Sequence, residues 1–341
     1  MKKLTTISLS AIAVAAALTL AACGGGGDGG SSQPAGNNDS GSGNTGNNNG
    51  GGGTTKPTPP TGTVATPQYD TGSVQLAVFN QVNKYRSQCG FPTFQQNTIL
   101  DQAAAAHASY GLQNNVLGDD ETIGNPGFTG VTYADRATHF GFPSSAFSTG
   151  VSSGFYTNAT LSNDQYGKDL VDGFVSGVYH VALVTWPETV AGVGVATTTY
   201  NGFPQLSATI AFGVDGKSAG SMPLTFPCDG VTGIPYAASG ERPTPPGTSG
   251  QWGSPIAVTG NTSDKVTLQS AVLVDQSGTQ IAMKMLDSTN DPNKLLPAFE
   301  AVAYPVSALK PNSTYSATLN GTINGTPFTR NFSFATGNTV G

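Results

Sequence analysis

Charge, histidine and cysteine are all scarce in this chain. Lys, Arg, Asp and Glu together make up 10% of 341 residues, and there are only three histidines and three cysteines. So thin a supply leaves no Cys/His cluster with the spacing of a structural zinc site. The formal charge is −6, and losing Lys2 and Lys3 with a cleaved leader takes it to −8. A field of that sign disfavours phosphate backbones and anionic lipid surfaces, so no nucleic-acid partner is expected. Also missing is an apolar run long enough to cross a bilayer, which needs about 20 residues. The nearest candidate, in residues 1–23, has a basic start and a short apolar core and then ends in Ala21-Ala22-Cys23. That is the pattern of a secretory signal.

Leu20-Ala21-Ala22-Cys23 resembles a bacterial lipobox, which implies lipidation of Cys23 and a membrane partner through the acyl chains. Gly24 follows instead of an aspartate, which favours the outer membrane if the cell is Gram-negative. The expected location is therefore the cell envelope, outside the cytoplasm. Residues 24–66 are Gly, Asn, Ser, Thr and Pro with almost nothing apolar. They read as a disordered tether, with a coil reach of about 35 Å. With Cys23 assigned to lipid, Cys89 and Cys228 remain as an even pair in an exported chain, and a disulfide is expected between them. Closing so long a loop contributes about 4–5 kcal/mol in the chain-entropy model.

The rest of the sequence changes character along its length. Helical spacing marks Val74, Val78, Val82 and Tyr85, then Leu100, Ala103, Ala104, His107 and Tyr110 on an alanine-dense stretch. Thr132 and Asp135 form a capping box before a short third helix that Gly141 ends. A fourth helix carries Tyr166, Leu170, Phe174 and Val178. From Val181 to about 214, β-branched residues punctuated by Pro187, Gly202 and Pro204 read as two or three antiparallel strands. Helices followed by strands indicate an α+β class. Residues 233–250 read as a Pro/Gly linker, and 251–341 as short strands only, a small all-β sandwich.

Several motifs, in order, carry a resemblance. Asn83 and Arg86 lie on the first helix, His107-Ala108 on the second, and Arg136 before Gly141-Phe142. His180 then precedes a hydrophobic strand, and Gly192-Val193-Gly194 follows. Together they resemble the CAP superfamily of SCP-like proteins. The resemblance implies an α-β-α sandwich over residues 67–232. The tail, with Leu309, Pro311, Thr314 and Tyr315 at a strand entry, is similar to bacterial Ig-like or fibronectin-III-like modules, where the tyrosine locks a corner.

The CAP resemblance further implies a cleft lined by two histidines and two glutamates, which in some members binds a divalent metal. Here the set looks incomplete. His180 holds the second histidine position and Glu121 an acidic one. Asp119 or Asp120 stands where the first histidine falls, and the place of the second acid, near Ser148–Phe155, holds no acid. His107, Asp119, Glu121 and His180 are therefore the candidate ligand-contact residues, with no catalytic assignment. His107 reads first as a core histidine donating to a backbone carbonyl. A zinc site through His107, Glu121 and His180 is the alternative. No cofactor is otherwise expected. His139 reads as exposed. Gly150-Val151-Ser152-Ser153-Gly154 fits the nucleophile-elbow pattern, yet it lacks the flanking context that motif needs. The implied role is a non-enzymatic surface module for a lipid, glycan or peptidoglycan ligand; the alternative is a metal-assisted or serine-dependent extracellular hydrolase.

Overall fold

The computed structural model describes residues 59–216 and 223–341. The leader, Cys23 and the tether up to residue 58 lie outside the described residues. Nine elements build the first half: α1 (Val74–Gln88), β1 (Gln95–Gln96), α2 (Thr98–Asn114), α3 (Tyr133–His139), β2 (Ser148–Tyr156), α4 (Asn163–Ser176), α5 (Ala182–Thr185), β3 (Glu188–Tyr200) and β4 (Phe203–Asp215). The strands form one sheet in the order β1-β3-β4-β2, antiparallel except for the short edge strand β1, which pairs with β3 in parallel.

Helices cover both faces of this sheet, and the strand period decides which residues meet which helix. Val190 and Ala211 turn toward α2 and α3, where they pack with Leu100, Ala104, Ala137 and Phe142. Ala191, Val193, Ile210 and Phe212 turn the other way, toward Val78, Val82, Tyr85, Leu170 and Phe174 of α1 and α4. The alanines of α2 and the two glycines of β3 belong to one packing solution. A Cβ at Gly192 would stand 2.1 Å from the Asp101 nitrogen, and one at Gly194 2.1 Å from the Ala104 carbonyl carbon. Only glycine lets the helix backbone come so close to the strand.

Asn83 and Arg86 are structural. Asn83 Nδ2 donates to the Phe94 carbonyl at 3.1 Å and its Oδ1 accepts the Phe94 amide at 2.7 Å. The Arg86 guanidinium is wholly buried and donates to the carbonyls of Pro92, Leu183, Val184, Trp186 and Glu188. That network corrects one expectation. Residues 182–185 form the helical turn α5, although the β-branched run suggests a strand. A strand points successive carbonyls to opposite sides, whereas three carbonyls converging on one Arg86 nitrogen require a coiled backbone.

The chain then enters an all-β region. β5 (Leu224–Phe226), β7 (Ile256–Thr259), β10 (Met283–Asp287) and β11 (Glu300–Pro305) form one sheet in the order β10-β11-β7-β5. β6 (Thr232–Ile234), β8 (Val266–Asp275), β9 (Gln280–Ile281), β12 (Thr314–Ile323) and β13 (Thr326–Thr336) form the other, in the order β6-β13-β12-β8-β9. The whole is α+β. The tyrosine corner is present as geometry: the Lys310 amide donates to the Tyr315 hydroxyl at 2.8 Å.

Residues 233–250, expected as a linker, are tied into this region. β6 pairs with β13, Ala237 bridges Val340, and Ala238 exchanges backbone hydrogen bonds with Trp252. Residues 59–66, expected within the tether, also dock: the Val64 amide donates to the Gln96 carbonyl and Asn97 Nδ2 to the Thr61 carbonyl. Cys89 and Cys228 form the disulfide, with Cα atoms 5.5 Å apart across 139 residues of sequence. Residues 59–341 make one compact unit.

Candidate functional site

The loop from Gly118 to Val131 is gathered around a buried carboxylate. Glu121 is 2% exposed. It accepts hydrogen bonds from the Thr129 amide at 2.6 Å, the Gly130 amide at 3.4 Å and the Thr129 hydroxyl at 3.3 Å. His107 Nδ1 lies 2.9 Å from its Oε1. Arg136, also buried, sits 3.9 Å from it through Nε and donates to the carbonyls of Asp119, Gly130 and Val131. Tyr110 pins the loop from the other side, its hydroxyl accepting from the Thr122 amide and Asn125 Nδ2.

Proton bookkeeping on His107 is constrained by its partners. Its Nε2 is 2.9 Å from the Gly118 carbonyl, which can only accept, so Nε2 carries a hydrogen. Its Nδ1 faces Glu121. Either both ring nitrogens are protonated against a carboxylate, or Glu121 donates its own proton to Nδ1. In both states no lone pair on His107 is free. As packed, His107 therefore offers no lone pair to an ion shared with His180, which a coordinating imidazole must do. Among the described residues no three His, Cys, Asp or Glu side chains group as a metal site.

His180 is placed differently. It follows α4 in the turn that leads to α5, and its side chain is 20% exposed. Its Nδ1 lies 3.0 Å from Oε1 of Glu241. Burial pulls the His180 pKa down, but the hydrogen bond and charge of Glu241, with the charge of Asp119 added, outweigh it and hold the pKa above the ordinary value. Asp119 is exposed, and its Oδ1 accepts from the Tyr133 hydroxyl at 2.6 Å. Tyr133 has spent its one proton there, so Ser152 donates to the Tyr133 oxygen at 2.6 Å, and Thr209 donates to Ser152 at 3.1 Å. Burial, reinforced by Asp119, pushes the Tyr133 phenol well above its usual pKa. The chain Thr209–Ser152–Tyr133–Asp119 thus has one direction.

The four expected residues therefore divide. Asp119 is exposed and His180 partly exposed, and the charge of Asp119 reaches His180, whereas His107 and Glu121 are interior. Ser152 lies mid-strand in β2, opposite Thr209 of β4, and not on a strand-to-helix turn. No hydrogen bond joins it to an imidazole among the described residues, so a serine nucleophile there has no base in contact. His139 is exposed on α3. Sequence reasoning missed Glu241 and Tyr133. The available signal for Glu241 was its standing as the single acid in residues 233–250.

Residues 79–212 match the model of the cysteine-rich secretory protein family, CAP, so the chain carries a CAP domain there. No curated protein matches the chain. Among solved structures, an outer surface protein from Borrelia burgdorferi is similar at 12% identity and a TM-score of 0.32, over 42% of this chain and 95% of that one.

Proposed function

We propose that this is an extracytoplasmic, lipid-anchored surface protein. Its CAP domain binds a ligand in the His180–Asp119 groove without turning it over, and its C-terminal β region, an Ig-like module, supports that groove. The observation that carries the reading is the division between the two histidines. His107 has both ring nitrogens committed to Gly118 and Glu121, whereas His180 is partly exposed and engages Glu241 through Nδ1. A partly exposed histidine can hydrogen-bond hydroxyls and amides. It lacks the second imidazole that would hold an ion, and Ser152 lacks an adjacent base. The disulfide supports an oxidising compartment. The exposure of Asp119 and of part of His180 suits an extended glycan or peptidoglycan strand better than an engulfed small molecule.

The test is a titration of the full chain with soluble peptidoglycan fragments, followed through the His180 ring resonances, with product analysis of the same samples. Shifts at His180 without released products are expected. Turnover that His180→Ala abolishes would replace this reading with a hydrolase, and no binding to these fragments or to lipid vesicles would remove it.

A further inference from the structure

The segment that carries His180 is held by acids that all lie outside the CAP match of residues 79–212. Glu241 is 7% exposed and faces the turn after α4 end-on. It accepts from the amides of Val178 at 2.7 Å, Tyr179 at 2.8 Å and His180 at 3.2 Å, as well as facing His180 Nδ1. Asp291, between β10 and β11, accepts from the Tyr179 hydroxyl at 2.9 Å, and Asn293 donates to that same hydroxyl at 2.7 Å. Glu300, on β11, accepts from the Thr185 hydroxyl at 2.8 Å and from Trp186 Nε1 at 2.6 Å. Residues 178–186 are thus fastened at three points by the β region.

Two features make Glu241 specific in this role. The loop that bears it is closed at its base by the Ala238–Trp252 pair, and Trp252, fully buried, donates from Nε1 to the Ser176 carbonyl at the end of α4. The loop is therefore anchored beside the turn it caps. Gly177 then clears the approach, because a Cβ there would stand 2.6 Å from Glu241 Oε1. With the CAP domain's own second acid missing near Ser148–Phe155, a carboxylate reaches the histidine from another part of the chain.

We propose that Glu241 is the positioning residue of His180: it fixes the ring through Nδ1 and leaves Nε2 for the groove, so that the β region completes the CAP domain's binding site. This rests on reading His180 as the groove's ligand-facing histidine. The carboxylate–imidazole contact selects one tautomer and one orientation, as second-shell acids do for functional histidines elsewhere. A spacer or adhesive module needs none of these contacts.

The experiment is an NMR pH titration of the full chain, which has only three histidines to assign. In the unaltered chain His180 is expected to titrate above 6.5. In Glu241→Gln its midpoint is expected to fall, with the other two histidines as internal references. Gly177→Ala, which displaces the carboxylate without removing its charge, is expected to move His180 in the same direction by less, and it decides the matter if Glu241→Gln does not fold. An unaltered chain whose His180 titrates below 6.5 overturns the proposal. So does an unchanged His180 in otherwise native spectra of the variants, or an equal movement of His107, which would indicate general loosening. If His180 shifts as expected but no ligand binds, the functional reading fails and the positioning role stands.

Discussion

Among the described residues two histidine–carboxylate pairs occur, with nearly equal contacts and histidines in different surroundings. His107 and Glu121 are 2.9 Å apart, and His180 and Glu241 are 3.0 Å apart. The first pair joins a helix to the loop just after it, is buried on both sides, and has every polar atom of the imidazole in use. The second joins positions 61 residues apart and leaves one ring nitrogen at a partly exposed surface. A histidine–acid contact therefore says little about function by itself. The partner of the second ring nitrogen is what separates an interior tie from a group that can meet a ligand.

That contrast breaks most readily under truncation. His107→Ala is expected to lower stability by about 3–5 kcal/mol, because it leaves the Glu121 carboxylate buried with its principal side-chain partner gone. His180→Ala is expected to cost less, about 1–2 kcal/mol, since the buried Glu241 keeps three backbone amides. Denaturant unfolding of both variants measures the difference. Equal losses would mean that the two pairs do the same structural work and that the groove assignment is wrong.

The difference between these two histidines is only partly legible in the sequence. The inward face of α2 is plain from the spacing of Leu100, Ala104 and His107, and that spacing alone places His107 in the interior. The capping box at Thr132 and Asp135 forms as the spacing indicates. So do the disulfide and the Tyr315 corner. The helix face, the cap and the Tyr315 contact rest on local periodicity or on a short motif, whereas the disulfide rests on the even count of cysteines left in an exported chain. Glu121 reads as a cleft acid because the CAP resemblance implies an acidic position there, while Arg136 and the Thr129 amide gather its loop around it, a tertiary effect no local pattern carries. α5 is hidden for a similar reason: its β-branched composition is overridden by Arg86 drawing three carbonyls together. Glu241 lies in a stretch that composition marks as a linker. Its role depends on a contact made from far along the chain.

A third acid sharpens the comparison by having no histidine at all. Glu188 is wholly buried, and neither of its carboxylate oxygens has a hydrogen-bond partner. Burial pushes its pKa up to about 8. Arg86 works against that shift, and Asp215 and Glu300 work with it. The folded protein therefore keeps a proton on Glu188 that the unfolded chain releases near its ordinary value of 4.5. Stability should fall as pH rises between those two values and level off above them. Glu188→Gln removes that slope, so its melting temperature should exceed that of the unaltered chain at pH 8.5 and lose the advantage at pH 5. Part of the slope should persist in the variant up to about pH 7, because buried Glu300 is raised to about that value. A variant with no pH-dependent gain would show that Glu188 is ionised and paired in solution.

The smallest effect is expected at the hydroxyl chain that ends on Asp119. Ser152 links Thr209 to Tyr133, and Tyr133 in turn reaches Asp119. Ser152→Ala removes one donor and one acceptor. Tyr133 keeps its bond to Asp119, and the Thr209 hydroxyl, 1% exposed, loses its acceptor. Leaving that hydroxyl unsatisfied costs about 1 kcal/mol, readable as a modest drop in the urea midpoint. Ligand-induced shifts at His180 should be unaffected, because the Asp119 carboxylate retains its own partner and stays in place. Loss of binding in this variant, with stability nearly intact, would move the working surface from His180 and Asp119 to the β2 strand. The hydroxyl chain, and not the open histidine, would then distinguish the two sides of the domain.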